Sequence, residues 1–212
     1  MNNKKKIPQS TISRLFVYLR ELNELSKFNI RTISSSELGE RTNMSDAQIR
    51  KDLGYFGQFG TSGAGYNVEE LKKALERILG KGKKWNVAIV GVGHLGSALL
   101  AYSGFRRHGL DVVAAFDTDV RKIGKKIEGV TIHSIGDMGK IAKQKNVELS
   151  VITVPANEAQ EITDTLVKCG VKCVLNFAPV SLNVPEDVQV KDVDLSRELE
   201  TLSYFLVNGN GK

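Results

Sequence analysis

The spacing of apolar residues changes near residue 80 of this 212-residue chain. Before that point they recur three and four positions apart, which predicts helices. The first helix begins after Pro8 and carries one apolar face: Ile12, Leu15, Phe16, Leu19, Leu22 and Leu25. Beyond that point, short apolar runs alternate with amphipathic segments, which predicts a parallel sheet covered on both faces. Two glycines and three lysines in residues 79–84 predict a linker between the two blocks.

The first block contains signals for three further helices and a hairpin. Serines at 34–36 predict the cap of a short helix around 37–41, and residues 45–48 have the pattern of a capping box that opens a third helix. A glycine-rich stretch at 57–66 predicts a hairpin, and a fourth helix begins at Asn67. This order of elements is typical of a winged helix-turn-helix.

The net charge of +6 is concentrated in this block. Residues 1–84 hold 16 Lys and Arg against 9 Asp and Glu, whereas the remainder is nearly balanced. The excess favours a polyanion partner, with an ordinary solvated basic surface or a helical interaction domain as open alternatives. In the DNA-binding interpretation the third helix enters the major groove. The residues expected to contact double-stranded DNA are Ser45, Gln48, Arg50, Lys51 and Tyr55.

The second block has the strand and helix alternation of an α/β protein with a doubly wound parallel sheet. Its predicted strands are 86–90, 112–116, 130–133, 149–154, 173–177 and 188–193, with helices near 95–105, 137–145 and 158–169. We therefore expect a winged-helix domain over 1–80, a Rossmann-type domain over 85–194, and a terminal helix and tail over 195–212.

A glycine-rich loop joins the first of these strands to the first helix. It is made of Gly91, Val92, Gly93, His94, Leu95 and Gly96. The first glycine permits the tight turn, the second allows the backbone to approach a pyrophosphate, and the third lets the helix pack on the strand. Because a strand precedes the loop and an acidic residue ends the next strand, the context predicts a dinucleotide site. The histidine in the loop is expected to be a backbone position and not a catalyst.

The acidic residue is Asp117, which is expected to accept both hydroxyls of the adenine ribose and to repel a 2′-phosphate. NAD(H) is therefore favoured over NADP(H). Thr118 follows where an arginine would favour NADP(H), whereas the nearby Arg121 and Lys122 weaken the preference.

The nicotinamide is expected over the ends of the later strands, near Val154, Pro155, Ala156 and Phe177. These ends carry no group for proton transfer, and an apolar pocket disfavours the cationic NAD⁺ relative to neutral NADH. We expect no catalytic residue, metal ion or small-molecule substrate. The alternative is a small NAD-dependent oxidoreductase with an accessory helical domain, although the 128 residues after position 84 leave little room for a substrate domain.

Two further features bear on location. No apolar run approaches the roughly 20 residues of a membrane helix, and the basic start is not followed by an apolar segment as in a secretory signal. A cytoplasmic protein without a membrane partner is expected. Cys169 and Cys173 are expected to fill the core.

Several segments together resemble the family of redox-sensing transcriptional repressors called Rex. They are Ile12-Ser13-Arg14-Leu15, Ile49-Arg50-Lys51-Asp52-Leu53, residues 63–66, the loop 91–96, Val154-Pro155-Ala156, Asn176-Phe177-Ala178-Pro179 and Asp194-Leu195-Ser196. The resemblance covers almost the whole chain. It implies a repressor that binds inverted-repeat operator DNA when NADH is scarce and releases it when NADH binds.

The resemblance also implies a homodimer that exchanges its last helix, 196–207, between protomers. The switch residues that it implies are Arg14, Tyr102 and Asp194. Tyr102 is also expected to contact the cofactor. One departure is the pair Thr61-Ser62, because wings of this family often carry basic residues there. We therefore expect Arg50 and Lys51 to carry more of the DNA affinity than this wing.

Overall fold

The computed structural model describes residues 7–60 and 64–209 and separates into two compact units, Met1–Lys83 and Lys84–Lys212. The elements of the first unit, in chain order, are α1 (Gln9–Lys27), β1 (Thr32–Ile33), α2 (Ser35–Thr42), α3 (Asp46–Gly54), β2 (Tyr66–Asn67) and α4 (Val68–Ile78).

The core of the first unit lies between α1 and the three other helices. Leu15, Leu19, Leu22 and Leu25 are buried there, as the periodicity predicts. Phe16 was predicted on the same face but is 47% exposed, because Tyr18 occupies the core instead and directs its hydroxyl to a buried carboxylate.

The helix-turn-helix is formed by α2 and α3. The full capping box belongs to Ser34 and Glu37 at the start of α2, and not to residues 45–48 as predicted. At α3, the Ser45 hydroxyl does accept the Gln48 N–H at 3.2 Å, but the Gln48 side chain bonds elsewhere. A Cβ on Gly39 would lie 2.5 Å from the Met44 carbonyl oxygen, so the close approach at the turn requires glycine.

The glycine-rich stretch does not form the predicted hairpin within its described residues. Tyr66 and Asn67 pair antiparallel with Ile33 and Thr32 of β1, a partner that precedes α2. Gly60 and Gly65 still lie against each other, since a Cβ on Gly60 would approach the Gly65 carbonyl oxygen. Thr61 and Ser62 lie outside the described residues.

The second unit is the predicted α/β domain. Its elements are β3 (Trp85–Val90), α5 (His94–Leu100), α6 (Gly104–Arg107), β4 (Leu110–Asp117), β5 (Lys126–Ile127), β6 (Val130–Ser134), α7 (Met138–Gln144), β7 (Leu149–Ile152), α8 (Ala156–Lys168), β8 (Cys173–Asn176), β9 (Gln189–Asp192) and α9 (Leu195–Asn208).

The sheet has the order β5-β6-β4-β3-β7-β8-β9, and all neighbours are parallel except β5 with β6. Apart from β5, this is the order of a dinucleotide-binding sheet, in which the direction of winding reverses beside the first strand, here β3. Separate apolar clusters cover the two faces of the sheet. The expected fold class is confirmed.

Three details differ from the sequence expectations. The helix predicted at 95–105 is divided into α5 and α6 around Ser103 and Gly104, which are weak helix formers, and the Tyr102 ring lies over the buried Gly104. The strand predicted at 149–154 ends at Ile152, before Pro155, which cannot donate to a ladder. The short strand β5 was not predicted; it turns back into β6 through Glu128 and Gly129, both at positive φ.

None of the helices in the described part of the chain is long and apolar enough to cross a membrane.

Candidate nucleotide site and DNA interface

The glycine loop lies at the carboxyl end of β3, where the direction of winding reverses. Gly91 has φ +91°, and a Cβ there would lie 2.7 Å from the Thr153 carbonyl oxygen. A Cβ on Gly96 would lie 1.9 Å from the Gly91 carbonyl oxygen, so α5 can pack on the loop only with glycine at this position. A Cβ on Gly93 would meet nothing within 4 Å. The loop is therefore tight against the protein at two glycines and open on the outside at the third.

The open side of the loop is where a pyrophosphate fits. His94 and Leu95, in the first turn of α5, are exposed beside Gly93, whereas the Val92 side chain is buried. Val92 takes part through its backbone N–H, which is donated to Asp117. A dinucleotide-binding loop needs space for the ligand on its outer side and close packing against the protein on its inner side, and this loop has both.

Thr153 supports the loop from the neighbouring strand, a role that the sequence reasoning missed. Its hydroxyl lies 2.6 Å from the Gly91 carbonyl oxygen and 3.1 Å from that of Val90. These contacts fix the turn that follows β3. A polar residue directly after the apolar strand β7 was the only signal for this role.

Asp117 ends β4 with its side chain buried against the glycine loop. Its carboxylate accepts the N–H groups of Val92 and Asp119, both at 2.7 Å, and the Lys122 ammonium at 3.0 Å. Burial alone would raise the pKa of Asp117, but the hydrogen bonds from Asp119, Lys122 and Val92 outweigh it and lower the pKa. The carboxylate is therefore charged at neutral pH.

These three bonds limit what Asp117 can offer to a ribose. Two carboxylate oxygens have about four acceptor directions, so one direction stays open. The expectation that Asp117 accepts both ribose hydroxyls requires Lys122 to move aside, whereas one hydroxyl needs no rearrangement. Thr118 is exposed next to it.

The apolar end of the site is shaped by Asn176, which is fully buried at the end of β8. Its amide nitrogen donates to the Val180 carbonyl at 2.8 Å and to Asp192 of β9 at 2.9 Å, and its oxygen accepts the Ala178 N–H. These bonds hold Phe177, which is half-buried, in the segment after the strand. Asn176 was used as part of a motif, but its positioning role was not predicted.

The expected nicotinamide residues lie at these strand ends. Val154 is buried, Pro155 is exposed as the N-cap of α8, and Ala156 is exposed as the first residue of that helix. The segments 153–156 and 177–179 contain no titratable side chain.

The three proposed switch residues have different surroundings. Tyr102 follows α5, is 55% exposed, and has its ring edge-on to Phe105 at 5.2 Å. Asp194 is the N-cap of α9 and accepts the Arg197 N–H at 3.1 Å. Arg14 instead donates to Asp52 through Nε and Nη2, at 2.5 and 2.7 Å, inside the first unit.

Asp52 of α3 is the centre of a buried polar cluster. Besides Arg14, it accepts the hydroxyls of Thr11 and Tyr18 at 3.0 and 2.8 Å and the Gln48 amide at 2.8 Å. Burial acts to raise the pKa of Asp52, but the hydrogen bonds from Arg14, Tyr18 and Thr11 outweigh burial and lower it. The cluster ties the third helix to α1 and so fixes its direction.

The five residues expected to contact DNA therefore differ in their present hydrogen bonds and in their exposure. The Ser45 hydroxyl caps α3, the Gln48 amide is bonded to Asp52, and the Arg50 guanidinium is bonded to Asp46 and Ser35. Lys51 is exposed and Tyr55 is half-buried at the C-cap.

Comparisons with known proteins agree with both units. Residues 6–54 match a family described as putative DNA-binding protein N-terminus, and residues 82–180 match the CoA binding domain family. The chain is 47% identical to the redox-sensing transcriptional repressor Rex of Desulforamulus reducens, over 95% of this chain and 96% of that one. It is 49% identical to the Rex repressor of Carboxydothermus hydrogenoformans, over 94% and 96%.

The chain belongs to the Rex family. Among solved structures, it is similar to RSP, a Rex-family repressor, in complex with NAD⁺ and operator DNA, with a TM-score of 0.88 and 37% identity over 97% of this chain and 99% of that one. RSP in complex with NADH gives a TM-score of 0.83 and 37% identity over 96% of each chain. The Rex resemblance seen in the sequence is confirmed.

Proposed function

We propose that this protein is a repressor that senses the NADH/NAD⁺ ratio: it binds operator DNA when NADH is low and leaves it when NADH binds. The observation that carries the proposal is the pairing, in one chain, of a glycine loop that is open only at Gly93 and a basic helix-turn-helix fixed through Asp52. Rex relatives, and RSP with NAD⁺ and DNA or with NADH, support it.

The cofactor is held by the second unit. The loop 91–96 presents Gly93 and the first turn of α5, His94 and Leu95, to the pyrophosphate, and Asp117, Thr118 and Lys122 lie at the adenine ribose. Val154, Pro155, Ala156 and Phe177 lie toward the nicotinamide. Tyr102 lies instead at the far end of α5, in a cavity shared with Leu110 and Val130 at the starts of β4 and β6, so its contact with the cofactor stays a prediction. In a sensor the bound nicotinamide supplies only a difference in charge, because NADH is neutral there and NAD⁺ is cationic. An apolar end favours the neutral form, so the pocket distinguishes the redox states without reacting.

We also propose that the protein catalyses no hydride transfer, because the segments 153–156 and 177–179 contain no titratable side chain to give or take the proton that such a reaction requires. Turnover of alcohols, aldehydes or hydroxy acids above a no-protein control would favour the oxidoreductase alternative. We propose further that, as a DNA-binding repressor, the protein acts in the cytoplasm.

The terminal helix α9 supports a homodimer. Every residue of α9 is exposed, including Leu199, Leu202, Tyr204, Phe205 and Leu206. An apolar strip of this kind needs a partner surface, and mutual exchange of two such helices buries both copies. Truncation after Leu195 is expected to lower dimer stability, measured by sedimentation. A truncated protein that stays dimeric contradicts the exchange.

The switch needs one of its residues to change partner. Tyr102 and Asp194 are exposed, and the Tyr102 hydroxyl makes no hydrogen bond within the described part of the chain, so both are open to new contacts. Arg14 must break its bidentate bond to Asp52 to take part. The switch role of Arg14 stays a prediction. Its hydrogen bonds to Asp52 indicate that it holds α3 in place.

The direct test is operator release measured by fluorescence anisotropy of a labelled duplex. NADH is expected to release the DNA, whereas NAD⁺ at the same concentration is expected to leave it bound. Asp194→Ala is expected to keep both DNA and NADH binding but to weaken the release. DNA binding that ignores NADH contradicts the sensor.

A further inference from the structure

The Arg50 side chain on α3 is held by two groups of the helix-turn-helix. Its Nη1 donates to Asp46 at 2.7 Å, one turn earlier on α3, and to the hydroxyl of Ser35 at 3.0 Å. Ser35 is the first residue of α2. The guanidinium therefore bridges the two helices of the motif, although its side chain is 55% exposed.

This arrangement leaves one edge of the guanidinium available. Nη1 has two N–H groups, and both are used by Asp46 and Ser35. Nε and Nη2 make no hydrogen bond to the residues that the structure describes, and this pair of nitrogens matches the O6 and N7 acceptors of guanine in the major groove. A fixed orientation favours a directional base contact, because the ordering cost of the side chain has already been met in the free protein.

Asp46 has two roles in this arrangement: as an acidic residue in the first turn of α3 it stabilises the helix N-terminus, and it orders Arg50. An exposed ion pair one helical turn apart contributes little to stability, while a carboxylate on a DNA-binding face repels phosphates. The hydrogen bond from Arg50 lowers the pKa of Asp46, so the repelling charge is present at neutral pH. Besides stabilising the first turn of α3, the carboxylate fixes the orientation of Arg50.

We propose that Asp46 and Ser35 are positioning residues that hold Arg50 so that it reads one guanine in each half-site of the operator. The inference rests on the proposed DNA binding and adds to it a source of specificity. Among the described residues, Arg50 shares an open cleft with Ser34, Gly57 and Tyr66. Lys51, which is exposed and has no ion pair among the described residues, is left to contact phosphates.

The test uses the full-length protein and a duplex that wild type selects from a random DNA library without NADH. Binding is then measured to every single-base variant of that duplex. Arg50→Ala is expected to lose discrimination at one G·C pair in each half-site by about 5- to 150-fold. Asp46→Ala and Ser35→Ala are expected to lose discrimination at the same pair, by about threefold or more, and to add nothing in combination with Arg50→Ala.

The matched control is Glu40→Ala, which removes an exposed charge from the same motif without touching Arg50. It is expected to strengthen binding to all duplexes slightly and leave discrimination unchanged. If Asp46→Ala behaves like Glu40→Ala, the carboxylate only repels DNA and the proposal is overturned. Effects of Asp46→Ala that add to those of Arg50→Ala, or that fall on another base pair, also overturn it. Failure of wild type to select any duplex instead contradicts the proposed DNA binding.

Discussion

Each unit contains one buried carboxylate that collects several hydrogen bonds and one cation. Asp52 accepts five bonds from four side chains, including a bidentate arginine. Asp117 accepts three bonds, two of them from backbone N–H groups and one from Lys122, whose side chain is 35% exposed. The first carboxylate has no acceptor direction left, and the second has one.

The difference separates a structural carboxylate from a binding one. Asp52 is closed to any ligand, so its bonds serve to hold α3 against α1. Asp117 keeps an open direction beside the glycine loop and pairs with a lysine that is able to move. The number of donors already present, rather than burial, distinguishes their roles.

The largest effect is expected when the hydrogen-bonded cluster around Asp52 is broken. Arg14→Ala leaves the Asp52 charge buried with only neutral donors, and breaking a buried ion pair costs about 3–5 kcal/mol. We expect the free energy of unfolding, measured by urea titration, to fall by about 3 kcal/mol. This is the low end of that range, because Thr11, Tyr18 and Gln48 still donate hydrogen bonds to Asp52. Arg20→Ala is the matched control, because Arg20 is exposed on the same helix and its loss is expected to change little. Equal effects of the two substitutions would show that Arg14 does not stabilise the unit.

A smaller effect is expected from removing Asp117, which has one acceptor direction open. Asp117→Ala removes a charged acceptor worth about 1.5–3 kcal/mol, so NADH binding, measured by calorimetry, is expected to weaken by about 10- to 150-fold. Discrimination against NADPH should fall as well. Lys122→Ala is the comparison variant: it unmasks the Asp117 charge, so it is expected to sharpen the preference for NADH. Equal responses of wild type to NADH and NADPH would contradict the ribose assignment.

The smallest expected effect concerns acid. The pKa of Asp52 is lowered in the folded protein, so its contribution to stability is fully present above the ordinary carboxyl pKa of about 4. It is lost as the pH falls through the lowered folded value. Asp117 has the same sign. As the pH falls from 5 to below 4, wild type is therefore expected to lose more stability than the Asp52→Asn variant. The free energy of unfolding of both proteins is measured by denaturant titration at each pH. Parallel curves would contradict the lowered pKa of Asp52.

The comparison also shows what the sequence could predict. Strand and helix alternation, the glycine spacing and Asp117 were found because each has a local pattern. The partners of Asp52 were not found, since Thr11, Arg14 and Tyr18 lie 34 to 41 positions away and nothing local indicates that they converge. Thr153 was missed as a support for the same reason, since Val90 and Gly91 lie 63 and 62 positions away. Asn176 was missed although Ala178 and Val180 lie only two and four positions away, because the sequence does not show that the segment after β8 folds back onto its amide. Phe16 was misplaced because helical spacing alone does not say how wide the buried face is.

The central claim is that one ligand in the second unit changes the DNA affinity of the first. Such a coupling must be reciprocal: if NADH weakens operator binding by some factor, operator must weaken NADH binding by the same factor. Both affinities can be measured on one preparation, by anisotropy of labelled operator with and without NADH, and by NADH fluorescence with and without operator. The account predicts equal factors, each well above one. An operator affinity that NADH leaves unchanged, or an NADH affinity that operator leaves unchanged, would contradict it.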